Sequence, residues 1–318
     1  MVSQILKSSL LVLAFAVAGS IAGGCSSPKG ERDSESSVDP TTDPTSYAEC
    51  EAVDERAVFV MNKIVFSRIE AEGMTRGFDL DGYVTDAENT DFGCGQVDYR
   101  DTDGNVGIDN QFGKLLPLIE GAGGEAFEPY IQGSINDGGL LLMLELEDVQ
   151  SLRDDECVHI RFLSASGIPI VGADDQLESW QTFDRALDRG FHRTEKLRIE
   201  EGVFGLDSFV FSIPFFIFDF AFEVEVRDAA MEATLQEDGS IRGTLAGSVR
   251  VENMLEIANQ IPGGEQFPEL IKTVGARFAD LEEDGDGVCQ ALSVGLEFEA
   301  IPAFFYQDSE EIDSESGQ

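Results

Sequence analysis

The segment from Phe209 to Asp228, FVFSIPFFIFDFAFEVEVRD, restricts most strongly what this chain can fold into. From Phe218 to Arg227, apolar residues alternate strictly with alanine or charged residues. This period of two predicts a β-strand with one buried face and one largely acidic face. The alternation changes phase near Pro214, which predicts a turn or bulge there because proline cannot donate to an interior ladder.

Further segments show the same alternation or are rich in β-branched residues, and turn residues separate them. They are residues 57–69, 140–148, 157–165, 196–204, 229–251 and 291–300. The first of these could also be a helix, whereas residues 229–251 predict a hairpin with Asp238 and Gly239 in its tight turn. The predicted fold class is a β-rich α+β fold with antiparallel, sandwich-like sheets and two short helical units.

The two helical units, residues 109–131 and 255–271, resemble each other. The stretches GGEAFEPYI from Gly123 and GGEQFPELI from Gly263 agree at five of nine positions. They predict a duplicated arrangement of helix, turn, helix and strand, with similar halves at about 48–205 and 206–306. Independent origin of two amphipathic helices explains the similarity equally well.

The first residues have the features of an export signal. One lysine precedes an apolar run that is too short to span a membrane, and small residues lead to Cys25. The sequence AGGC, residues 22–25, resembles the lipobox of bacterial lipoprotein precursors. This resemblance implies removal of residues 1–24, lipidation of Cys25 and, with Ser26 following, anchoring in the outer membrane.

Polar segments flank the expected globular domain. Residues 25–47 are rich in serine and proline and predict a disordered tether, since they cannot bury enough apolar surface to offset the entropy of ordering. Residues 307–318 predict an acidic disordered tail, which leaves one β-rich domain at 48–306. Within it, the stretches GFDLDG, GIDNQ and GVCQALSVGLEFEA resemble uncharacterised lipoproteins of myxobacteria, a resemblance that implies no activity.

Charge and cysteine content narrow the classes of partner and site. The formal net charge of -41 repels phosphate backbones and argues against nucleic-acid binding. The partners that remain are the membrane, through the lipid anchor, and others that the sequence does not identify. Besides Cys25 there are four cysteines, which predict two disulfides with three possible pairings. They are Cys50, Cys94, Cys157 and Cys289.

Catalytic motifs are absent from the sequence. The two histidines, His159 and His192, have no partner that spacing identifies, and no nucleophile elbow, zinc motif or phosphate-binding loop occurs. The chain is therefore predicted to be a non-catalytic binding or structural module. An exported hydrolase that uses paired carboxylates on extracellular polymers is the alternative, because acid pairs are common in so acidic a chain.

Calcium is the one cofactor that the sequence suggests. In DTDGNVGIDN, the residues Asp101, Asp103, Asn105 and Asp109 match odd-numbered ligand positions of an EF-hand loop. Val106 and Phe112 depart from that loop, so a calcium site here would be a looser one, completed by other acidic glycine turns. Those turns contribute Asp79, Asp81, Asp284 and Asp286. The sequence favours over this site a simple turn at Asp103 and Gly104, with Asp109 capping the next helix.

Overall fold

The computed structural model describes residues 55–70, 73–89, 91–121, 127–186, 193–217, 220–260 and 266–306. They belong to a compact unit that spans Tyr47–Gln318. The expected signal peptide, tether and tail lie outside the described residues, as do Cys25, Cys50 and His192. Within the described ranges, no helix is both long enough and apolar enough to cross a membrane.

Strands dominate the fold. They are β1 (Arg56–Phe66), β2 (Tyr99–Arg100), β3 (Val106–Ile108), β4 (Leu142–Glu147), β5 (Asp155–Ser166), β6 (Gln181–Arg185), β7 (Arg193–Ile199), β8 (Val203–Ile217), β9 (Phe220–Leu235), β10 (Ile241–Arg250), β11 (Leu281–Glu283) and β12 (Cys289–Phe305). The helices are α1 (Phe112–Gly121), α2 (Phe127–Asn136), α3 (Val251–Ala258), α4 (Gln266–Leu270) and α5 (Ala276–Phe278). The predicted β-rich α+β class with antiparallel sheets and short helices is confirmed.

Ten strands form one sheet in the order β1-β4-β5-β6-β12-β10-β9-β8, with β7 on β5 and β11 on β12. Because β1 also pairs with β12, the strands β1, β4, β5, β6 and β12 form a closed circuit. Among the named strands, only the pairing of β6 with β12 is parallel. The short strands β2 and β3 form a separate hairpin.

Two predicted strand boundaries are wrong. The strand β8 continues through Pro214, which pairs with Glu223 of β9, and the register shifts lie earlier, between Leu206 and Phe211. Proline is tolerated there because β8 is the last strand in the hydrogen-bonded order. The segment 196–204 contains the end of β7 and the start of β8, since Glu201 has a φ of 50° in the turn between them.

The predicted hairpin at 229–251 is confirmed as β9 and β10, with Gly239 at a φ of +83° in the turn.

The helices pack on one face of the sheet, to which β9 and β10 contribute. The helices α1 and α2 contact β12 and β1, and α3 contacts β9, β10 and β12. Alternation within β12 buries Leu296 and Phe298 in the core, while Glu297 and Glu299 belong to a polar basin. The helical units therefore cover one face of the sheet.

Candidate metal centre

Three of the aspartates that the sequence singled out meet in space. One carboxylate oxygen from each of Asp79, Asp81 and Asp109 lies within 4.8 Å of the others. A backbone bridge between Phe78 and Asp109 brings the two segments together. The Leu80 amide then donates to Asp109 Oδ2 at 2.7 Å. Among the hydrogen bonds of the described residues, the Asp109 carboxylate accepts from Leu80, in the loop that carries the other two acids, and from no amide of α1, so the expected helix cap is not formed.

One carboxylate oxygen of Asp79 and one of Asp81 accept from backbone amides of their own loop. The Gly82 amide donates to Asp79 Oδ1 at 2.8 Å, and the Tyr83 amide donates to Asp81 Oδ1 at 2.8 Å. A Cβ on Gly107 would lie 3.3 Å from Asp79 Oδ2, so glycine lets the β2–β3 hairpin approach this oxygen closely. These two loop amides leave the Oδ2 atoms of Asp79 and Asp81 unused.

Two further carboxylates, Asp98 and Asp280, enlarge the cluster. The Thr85 amide donates to Asp98 Oδ2 at 2.6 Å, and the Asp98 side chain also hydrogen-bonds that of Asp109. Asp280 accepts from the Ser293 amide at 2.8 Å and from the Ser293 hydroxyl at 2.6 Å. The charges of both Asp98 and Asp280 act on Asp109, so the cluster extends to five carboxyl groups.

Burial dominates the electrostatics of these acids. It raises the pKa of Asp109 to about 9, with smaller upward contributions from the charges of Asp280, Asp81 and Asp98. Burial likewise raises the pKa of Asp280 to about 7, against the lowering effect of its bonds from Ser293. The pKa values of Asp81 and Asp98 are also raised, again mainly by burial. The cluster therefore favours neutralisation, by protons or by a bound cation.

Cationic side chains do little to neutralise the cluster. Within the described ranges, no salt bridge reaches Asp79, Asp81 or Asp109. Burial lowers the pKa of Lys114 more than the charges of Asp280 and Asp98 raise it. The Lys114 ammonium lies 5.4 Å from the centre of the Tyr99 ring. The acids thus outnumber the positive charge available to them.

Buried polar atoms without partners lie beside the same carboxylates. Thr85 Oγ1, Tyr99 Oη and Gln111 Oε1 have no hydrogen-bond partner within the part of the chain that the structure describes. Thr85 is 1% exposed, and a Cβ on Gly93 would lie 3.6 Å from its Oγ1 and 3.9 Å from both Asp81 Oδ2 and the Asp280 carbonyl. Several oxygens therefore surround the same small space. Unpaired buried oxygens are costly, and water or a cation would satisfy them.

A disulfide closes the site from the side of β12. Cys94, in the 3-10 turn Gly93–Gly95, is bonded to Cys289 across 195 residues of sequence. This bond selects one of the three pairings that the sequence left open. Cys157 is also disulfide-bonded. The Cys94–Cys289 bond joins the turn Gly93–Gly95, whose Gly93 approaches Asp81 Oδ2 and the Asp280 carbonyl, to the first residue of β12.

The other predicted ligands serve their own turns. Asp101 Oδ1 accepts from the Asp103 and Asn105 amides, and its Oδ2 accepts from Asn105 Nδ2 at 2.6 Å. Asp109 is thus the member of DTDGNVGIDN that reaches the cluster.

The acidic turn between β11 and β12 behaves in the same way. Asp284 Oδ1 accepts from the Asp286 and Val288 amides, and its Oδ2 accepts from Gln290 Nε2 at 2.9 Å.

Sequence reasoning missed Asp98 and Asp280, because neither lies in an acidic glycine turn and no local spacing distinguishes them from other acids.

His159 is the described member of the two histidines. Its Nδ1 lies 3.2 Å from Asp148 Oδ2, at the edge of the β4–β5 pairing. His159 is not part of the carboxylate cluster, in which the potential metal ligands are all oxygen atoms.

Comparisons with family models, curated proteins and solved structures find no match for this chain.

Proposed function

We propose that this chain is a lipid-anchored, non-catalytic binding or structural module of the outer membrane, stabilised by calcium at the carboxylate cluster. The observation that carries the calcium assignment is the meeting of Asp79, Asp81 and Asp109 oxygens within 4.8 Å, without a salt-bridged cation. Hard oxygen ligands from carboxylates and backbone carbonyls suit calcium, which accepts six to eight of them in flexible geometry. Among the described residues, no histidine or thiol joins the cluster, which disfavours zinc.

The predicted hydrolase finds less support. A polar basin of about 460 Å³ contains Glu297 and Glu299, together with Lys63, Arg76 and Arg242. Glu299 lies 3.3 Å from Lys63, and Glu297 lies 3.4 Å from Arg76. Both glutamates are thus engaged in ion pairs with basic side chains, whereas in glycoside hydrolysis one of two carboxyl groups must donate a proton to the leaving group. We therefore do not propose an enzymatic role for this basin.

Calcium binding is tested directly by isothermal titration of chelator-treated protein. We expect one calcium ion per chain with a Kd of roughly 10⁻⁶ to 10⁻⁴ M, and much weaker binding of magnesium, which dehydrates reluctantly. Asp79→Asn should weaken calcium binding at least tenfold, whereas Asp286→Asn, in a turn outside the cluster, should leave it unchanged. Absence of saturable calcium binding up to 10 mM would overturn the assignment.

Stability of the metal-free protein should fall as pH rises from 5 to 8. The raised pKa values of Asp109, about 9, and Asp280, about 7, mean that the folded chain holds protons that the unfolded chain has released. The unfolding midpoint in chelator should therefore decrease over this range, and Asp109→Asn should flatten the decrease. A midpoint that rises or stays constant in the wild-type protein would contradict this expectation.

Lipid anchoring is a separate prediction. Cells expressing the chain and supplied with a radioactive fatty acid should label the wild-type protein, and Cys25→Ser should abolish the label. Cys50→Ser serves as the matched control and should leave it unchanged. Equal labelling of wild type and Cys25→Ser would exclude lipidation at this cysteine.

A further inference from the structure

An apolar cavity lies between the sheet and the helices, away from the acidic cluster. Its volume is about 180 Å³. Every side chain that lines it is apolar: Ile64, Phe66, Phe112, Leu115, Ile119, Ile131, Ile213, Val224, Val226, Val249, Met254, Ile257, Ala258, Phe267, Ile271, Val294 and Leu296. A site of this composition gives water no hydrogen-bond partners and gives a charged group nothing to pair with.

Both helical units contribute to the cavity. Ile131 of α2 and Ile271, at the start of the π-helical turn Ile271–Gly275, occupy equivalent positions in the two similar nine-residue stretches. The similarity between the units thus has a spatial counterpart, since the equivalent isoleucines line one cavity. The same sequence pattern, present in both helical units, thus contributes to the lining of the cavity.

The burial of the lining residues shows where a ligand could enter. Ile213 and Val249, on the sheet side, are each 4% exposed, whereas Met254, Ile257 and Ile271 on the helical side are only half-buried. Among the described lining residues, those on the helical side are therefore the closer to solvent.

Two properties define the occupant. An apolar cavity of about 150 Å³ holds benzene, so this one holds about six or seven carbon atoms and is too small for a whole drug-sized molecule. The helices that border it carry exposed acids, namely Glu252, Glu256 and Glu269. These charges repel an anionic head group such as a fatty-acid carboxylate.

We propose that this cavity binds the end of one hydrocarbon chain of an amphiphile whose head group carries no negative charge. The buried six or seven carbons contact the sheet and both helical units, and the head group remains in water on the helical side. This site is independent of calcium and of the lipid anchor, so its test does not depend on the proposed function.

Titration calorimetry of the full chain carrying Cys25→Ser, without detergent, with n-alkanols from butanol to octanol tests the proposal. Affinity should rise about fourfold for each added methylene, because each buries a similar apolar area. The rise should level off at about six or seven carbons, where the cavity is full. Hexanoate at pH 8 should bind at least fivefold more weakly than hexanol.

Ala258→Leu tests the location. Ala258 is 2% exposed and lines the cavity at the end of α3, so the larger leucine side chain would take up space in the cavity. Hexanol affinity should fall at least tenfold. In the control Leu118→Ala, at a 45% exposed position of α1 outside the cavity, affinity should not change.

Three results would overturn the proposal. They are absence of saturable alkanol binding, an affinity that keeps rising through octanol without a break, and equal hexanol binding by wild type and Ala258→Leu. Hexanoate binding as tight as hexanol binding would overturn the exclusion of an anionic head group. Adsorption to phosphatidylcholine vesicles without alkanol binding would place any lipid affinity outside the cavity. If Ala258→Leu does not fold, the chain-length break in the wild-type series decides the question.

Discussion

Calcium at 1 mM should raise the thermal unfolding midpoint of the metal-free wild-type chain by about 5 to 10 °C at pH 7.5, and Asp109→Asn should abolish that rise. For a Kd of about 10 μM, mass action stabilises the folded state by about 2.7 kcal/mol, and about 2 to 4 °C corresponds to each kcal/mol in a domain of this size. Asparagine keeps an oxygen that can accept from the Leu80 amide but lacks the charge that a cation requires.

The stability of Asp109→Asn relative to wild type should differ between the calcium-free and the calcium-bound protein. Without calcium, Asp109→Asn should be as stable as wild type or more stable, because it removes a buried acid surrounded by Asp81, Asp98 and Asp280. With calcium, it should be less stable than wild type. Asp103→Asn, in the exposed hairpin turn, is the control and should respond to calcium as wild type does. An equal calcium response in Asp109→Asn and wild type would show that any bound ion lies elsewhere.

Loss of the Cys94–Cys289 disulfide should lower the free energy of unfolding by about 2 to 5 kcal/mol. The bond joins residues 195 positions apart, so its removal frees a long stretch of the unfolded chain. Cys94→Ser, Cys289→Ser and the double variant should show similar losses in urea unfolding, which separates the effect of the bond from that of a free thiol.

Calcium affinity should also fall in these disulfide variants, because the bond ties the turn Gly93–Gly95 to β12 beside Asp280. Titration calorimetry of the double variant measures this effect, and we expect at least a tenfold weaker Kd. A loss of stability below about 1 kcal/mol would contradict the structural role of the bond. Unchanged calcium affinity would show that the site keeps its geometry without it.

Local pattern was sufficient for much of the secondary structure. Strict alternation identified β9, and the Asp238-Gly239 turn identified the β9–β10 hairpin, because both signals lie within a few residues of one another. The interruption predicted at Pro214 was wrong, because proline destabilises a strand only where a neighbouring strand needs a hydrogen bond from the backbone at that position. Only the order of strands shows that β8 is at the end of the sheet.

The sequence by itself determined the β-rich class, the two short helical units and the composition of the possible metal ligands. Tertiary structure alone decided which ligands meet. Asp79 and Asp109 converge through a backbone bridge between distant segments, and Asp280 is held by Ser293 of β12. Asp101 has the same local sequence pattern as a metal ligand, yet its carboxylate accepts hydrogen bonds from within its own turn. Spacing along a chain reports on neighbours in one element, whereas a metal centre depends on contacts between elements.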